Sequence, residues 1–125
     1  MRNDAISVIT ETVRAITSRG FDPLHAPWDH KVCVMVHAAQ GIIDNGGFAY
    51  FFETPFEGDP TLDDFPLAFT AIGAFSSAAA MSEALKRNAL GGSEFSDLDT
   101  ILWRESPGNL ELLASYVRGR AESYA

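Results

Sequence analysis

The chain has 125 residues, 46% of them hydrophobic and 11% aromatic, which is enough for one core and little for two, so a single domain over residues 1–125 is expected. A formal net charge of -8 and a pI near 4.6 argue against direct binding of nucleic acid, which calls for a Lys/Arg surface facing phosphates. The uncharged run Val32 to Ile43 falls short of the ~20 apolar residues of a membrane span, the amino terminus lacks a signal peptide's apolar centre, and Cys33 has no second cysteine to pair with, so a cytoplasmic protein without membrane contact is expected.

From Asp4 to Ser18, Ile6, Ile9, Val13 and Ile16 recur at helical spacing, with Arg19 and Gly20 as a stop. Gly20 to Pro27 reads as a loop, with Pro27 suited to the first turn of the next helix. The β-branched run Val32 to Val36 could be a strand. Over Trp28 to Asp44, however, Val32, Met35, Val36, Ala39, Ile42 and Ile43 gather on one side at 100° per residue, so a helix is preferred. Asn45-Gly46-Gly47 should end it, and Phe48, Tyr50, Phe51 and Phe52 should form a short helix anchored in the core.

Pro55, Gly58 and Pro60 mark an acidic loop, after which Asp63 or Asp64 can cap a helix with Pro66 in its first turn and Phe65, Phe69 and Ile72 as its apolar stripe. Gly73 divides this from a helix over Ala74 to Ala89, carrying Ala74, Ala78, Met81 and Leu85, closed by Lys86, Arg87 and Gly91-Gly92. Leu98, Ile101, Leu102 and Trp103 suggest a further short helix. Ser106 as N-cap and Pro107 in first position then open a last one bearing Leu110, Leu113, Val117 and Ala121. With no alternating strand, the expected architecture is all-α: one compact multi-helix domain whose stripes pack around Phe48, Phe51 and Phe52.

Candidate chemistry is sparse. His30, Cys33 and His37 share a helical face, with Asp44 near the same angle, as metal ligands or a thiolate and its base would. A zinc site normally draws on two elements, and a reactive cysteine needs an electropositive setting that this apolar and then acidic stretch lacks. The expected role is the polar side of a helix, together with Gln40, and no metal, cofactor or catalytic residue is assigned. Gly46-Gly47 lacks the spacing and Lys of a phosphate loop. The charge distribution is more informative, because no Lys or Arg lies between Lys31 and Lys86. Glu53, Glu57, Asp59, Asp63 and Asp64 in that gap are the candidate partner-binding residues, with Glu94, Asp97 and Asp99 as possible neighbours.

The stretch Gly41-Ile42-Ile43-Asp44-Asn45-Gly46-Gly47-Phe48-Ala49-Tyr50-Phe51-Phe52 resembles the signature of the DNA-mimic-protein-like family, a domain of unknown function with an Asn-Gly-Gly-Phe core. The likeness continues through Leu67-Ala68-Phe69-Thr70-Ala71-Ile72-Gly73-Ala74 and covers Trp28 to Leu90, with Tyr50 and Thr54 departing from the family's usual Gln and Asn. The resemblance implies an all-helical fold and a protein that offers carboxylates in place of DNA phosphates to a basic DNA-binding protein. The residues themselves suit Asn45, Gly46 and Gly47 to a tight turn, and Phe48, Phe51 and Phe52 to the core behind it. The reading is an acidic protein-binding module that is not an enzyme; the alternative is a structural or immunity-type protein binding through an apolar face.

Overall fold

Apolar residues at helical spacing, divided by glycines and prolines, fold as six helices and no strand among the described residues. The computed structural model describes residues 2–56 and 61–124, with side chains from Asp4 onward. The helices are α1 (Arg2–Ser18), α2 (Trp28–Glu53), α3 (Asp64–Ala71), α4 (Phe75–Ala89), α5 (Ser96–Arg118) and α6 (Ala121–Tyr124). The long α2 and α5 lie against each other at the centre, α1 packs on both, and α3 and α4 pair on the remaining side.

The stripe of α1 faces inward through Ala5, Ile9 and Ile16, with Val13 packed behind them. Ile6, expected on that stripe, is 51% exposed, because Ala5 takes the interior position one residue earlier. Pro27 also falls one residue outside its expected place: it precedes α2 in an extended conformation (φ -55, ψ 147). On α3, Phe65, Phe69 and Ile72 are buried as the stripe requires. Neither Asp63 nor Asp64 supplies the expected cap; Asp63 is itself helical (φ -63, ψ -19) with no capping hydrogen bond, and Asp64 turns to Lys31. Beyond Gly73 (φ 88), α4 buries Ala78 and Met81 and ends at Ala89, with Gly91 (φ 83) turning the chain just beyond.

Of two expected helix boundaries, the one at Asn45-Gly46-Gly47 is found as a break at Gly47 and the one at Ser106-Pro107 is absent. The turn read from Asn45-Gly46-Gly47 is a kink: helical backbone continues through Asn45 and Gly46, and Gly47 alone departs (φ 70, ψ -169) before Phe48 resumes the helix to Glu53. That conformation is almost confined to glycine. Ser106 and Pro107, by contrast, open no new helix, for α5 runs through them unbroken. An interior proline costs about 3 kcal/mol, and here contacts on both sides offset it. Leu98 and Leu102 before it and Leu113, Ala114 and Val117 after it are buried on one continuous face. Ala121, expected to prolong that face, is exposed in α6.

The core centres on rings. Phe51 lies 5.0 Å from Phe65, 5.2 Å from Phe52 and 5.3 Å from Phe56, while Phe48 and Phe52 lie 6.2 Å and 5.4 Å from Phe95. These separations are those of favourable edge-to-face and offset aromatic pairs. The kink at Gly47 is what folds Phe48 and Phe51 back into this cluster instead of carrying them onward along a straight helix.

Candidate functional site

The kink is held by a carboxylate from another element. Breaking the helix at Gly47 leaves the next segment with free N–H groups, and Phe48 N–H donates to Asp99 Oδ1 of α5 at 2.7 Å. A Cβ on Gly47 would lie 2.5 Å from Asp99 Oδ2, so glycine is required both by its torsion angles and by the approach of its cap. Asn45-Gly46-Gly47-Phe48 is thus a structural joint between α2 and α5. Trp103 Nε1 strengthens the same seam by donating to the Ile43 carbonyl at 2.7 Å.

A buried polar chain lies alongside. Asn109 Nδ2 donates to Gln40 Oε1 (2.9 Å) and Ser77 Oγ (2.8 Å), and Gln40 Nε2 donates to Asp44 Oδ1 (2.9 Å) and the Leu102 carbonyl (3.1 Å). Ser106 Oγ, expected as a helix cap, donates instead to Asp44 Oδ2 at 2.7 Å. No buried side-chain polar atom among the described residues lacks a partner, so this chain rigidifies the seam without leaving an orphan group in low dielectric.

The expected polar side of α2 does not exist as such. Cys33 is fully buried and Gln40 is 1% exposed, because α2 is enclosed by α1, α3 and α5 and has little surface to leave polar. His30 stacks on Tyr124 at 5.3 Å and its Nε2–H donates to the Ser123 carbonyl at 2.8 Å, while Tyr124 Oη donates to the Asp29 carbonyl. His30, Cys33, His37 and Asp44 therefore serve separate environments, and no group of three potential ligands converges among the described residues. Burial pushes the Cys33 thiol up to about 12. The native protein is expected to leave a thiol-reactive dye unconsumed at pH ~8, where an exposed cysteine would react within minutes, and to consume one equivalent once unfolded. Stoichiometric reaction of the folded protein would show that Cys33 is accessible.

The acidic candidates divide. Glu53, at the end of α2, and Asp63, beside the start of α3, are exposed and have no hydrogen-bond or ion-pair partner among the described residues. Glu57 and Asp59 lie outside the described residues. Asp64 accepts from Lys31 Nζ at 2.7 Å, with the two side chains only 23% and 16% exposed, and Lys31 also lies over the Trp28 ring. Of the secondary group, Glu94 is exposed, whereas Asp97 is clamped by two bonds from Arg87 (2.8 and 3.0 Å) and Asp99 is the cap just described. The Arg87 guanidinium holds the Asp97 carboxyl below the usual carboxylate range. Lys86 closes the tract at the far end, lining the groove between α3 and α4 with Asp63 and Leu67.

The pairings of Asp44 with Ser106, Asp64 with Lys31 and Asp99 with Phe48 were not legible in the sequence, since the partners lie 62, 33 and 51 residues apart. The family model described as DMP19-like protein matches residues 26–120, and the chain belongs to that family. No curated protein and no solved structure matches it. No helix of the described residues is long and apolar enough to cross a membrane.

Proposed function

We propose that this chain is a non-catalytic protein of DNA-mimic type that engages a basic, DNA-binding protein through the carboxylates of the segment from Glu53 to Asp63. Family membership supports the DNA-mimic class. The observation that carries the acidic surface is the Lys31–Asp64 pair. Lys31, the base that precedes the tract, is drawn inward and neutralised, so Glu53 and Asp63 are presented without a competing cation from that side. Exposed, unpaired carboxylates raise the local concentration of a basic partner and suit the surface that would otherwise grip phosphates.

The test separates the exposed carboxylates from the structural ones. Asp64 is left intact, because its removal would strand the half-buried Lys31 ammonium and confound binding with folding. Protein carrying E53Q, E57Q, D59N and D63N together is compared with the native chain in capture from the native host at about 0.1 M and about 1 M salt, across which the screening length contracts from ~10 to ~3 Å. Neutralisation and salt should each weaken capture about tenfold, as rim charge contacts do in sum, and double-stranded DNA should compete with the protein for the same partner. A partner held equally in all conditions would move the interface to an apolar face.

A further inference from the structure

We propose that the cleft between α1 and the α2–α5 seam, floored by Gly41, binds a small organic cation with an apolar body. The cleft has a volume of about 190 Å³ and shares its Ile6 and Leu110 walls with a neighbouring hollow of about 170 Å³. For scale, a dry cavity of ~150 Å³ holds a benzene ring. Ile6, Ile9 and Leu110 form its apolar walls, and His37 and Asp44 bring its polar groups from one face of α2.

Gly41 is the first sign that the space is reserved. It lies inside α2, where glycine is less stable than alanine, yet its φ is not positive and a Cβ built on it meets no atom within 4 Å. Neither backbone conformation nor a close neighbour therefore calls for glycine there, and Gly41 is among the residues that line the cleft.

The second sign is the preparation of Asp44. Its two oxygens accept from Gln40 and Ser106, and Gln40 is in turn fixed by Asn109 and the Leu102 carbonyl. A carboxylate offers about four lone-pair sites, so the anion is held in place with acceptor capacity left for a ligand. His37 is half-buried and has no hydrogen-bond partner among the described residues, and burial favours its neutral form. Among the described residues no Lys or Arg lines either hollow, while Glu111 lines the second. An acidic ligand would be repelled. An ammonium head on Asp44 with its carbon chain between Ile6 and Leu110 satisfies both the charge and the walls.

The test is a titration of the full chain with hexylammonium, with hexanol and hexanoate as neutral and anionic controls of equal length, followed by the amide resonances of Thr10, His37 and Gly41. Hexylammonium should shift them saturably, and hexanol should bind about tenfold more weakly, the difference a charge-assisted hydrogen bond makes. D44N, which keeps the shape and removes the charge, should weaken hexylammonium about tenfold. G41L should abolish the shifts while leaving the thermal midpoint unchanged or raised. The protein neutralised at Glu53, Glu57, Asp59 and Asp63 should bind hexylammonium like the native chain, so the outcome is independent of the acidic edge. The proposal is overturned by an absence of saturable shifts, by equal binding of the three probes, by undiminished binding to G41L, or by shifts that a lysine peptide produces and hexylammonium does not.

Discussion

Replacing Gly47 with alanine should lower the unfolding free energy by about 2–5 kcal/mol, a large share of the ~5–15 kcal/mol typical of a domain. Two effects add. An L-residue forced to φ 70, ψ -169 carries strain on the order of 1–3 kcal/mol. The new methyl would also meet Asp99 Oδ2 at 2.5 Å, driving away the carboxylate that accepts from Phe48 N–H and forfeiting about 1–2 kcal/mol of capping. Urea denaturation followed by circular dichroism measures the loss, and a domain of this size should melt some 10–20 °C lower. A double-mutant cycle apportions it. Asp99→Ala alone should cost about 1–2 kcal/mol, and in that background Gly47→Ala should cost less than in the native chain, since the obstructing atoms are gone. Equal costs in both backgrounds would leave torsional strain as the whole effect and remove Asp99 from the explanation.

This joint marks the boundary of what the amino-acid order made legible. α1 and α4 could be read because each has one buried stripe and a glycine stop, so periodicity and punctuation agree. Around the α2–α5 seam, local signals are overridden by contacts made across the chain. Asn45-Gly46-Gly47 marks the break, but Asp99, far along the sequence, caps it at Gly47, so the helix yields at only one residue. Ser106-Pro107 has the form of an N-terminus, and would be one in isolation. Trp103 bound to Ile43 and Asn109 bound to Gln40 hold the segments before and after the proline against α2 in one register.

The same cause explains the misplaced polar face. A helix packed on three sides needs partners for its polar residues, not solvent, and Gln40 finds them in Asn109, Asp44 and Leu102. The acidic segment was visible as a gap between Lys31 and Lys86. Which of its carboxylates stay available was not visible, because the withdrawal of Asp64 depends on folding α3 next to the start of α2.

Phe51→Ala should be comparably severe, at about 3–5 kcal/mol, for a different reason. Phe51 is 1% exposed and lies within 5.3 Å, ring centre to ring centre, of Phe52, Phe56 and Phe65, so truncation opens a cavity between α2 and α3 that rigid neighbours close only in part. The neighbours Tyr50 and Phe52 provide an internal scale, since all three are equivalent by composition and differ only in the direction each takes from the kinked segment. Phe52 is half-buried and touches Phe48, Phe51 and Phe95, so its truncation should cost about 1–2 kcal/mol. Tyr50 is 47% exposed, and its replacement should stay within about 0.5 kcal/mol. Chemical denaturation of the three variants should give midpoints in the order Phe51→Ala below Phe52→Ala below Tyr50→Ala, with unchanged slopes. Phe51→Leu, which keeps most of the buried volume, should recover more than half of the loss. If Phe52→Ala proved as damaging as Phe51→Ala, the segment after Gly47 would be rotated from the arrangement described, and with it the direction in which Glu53 faces solvent.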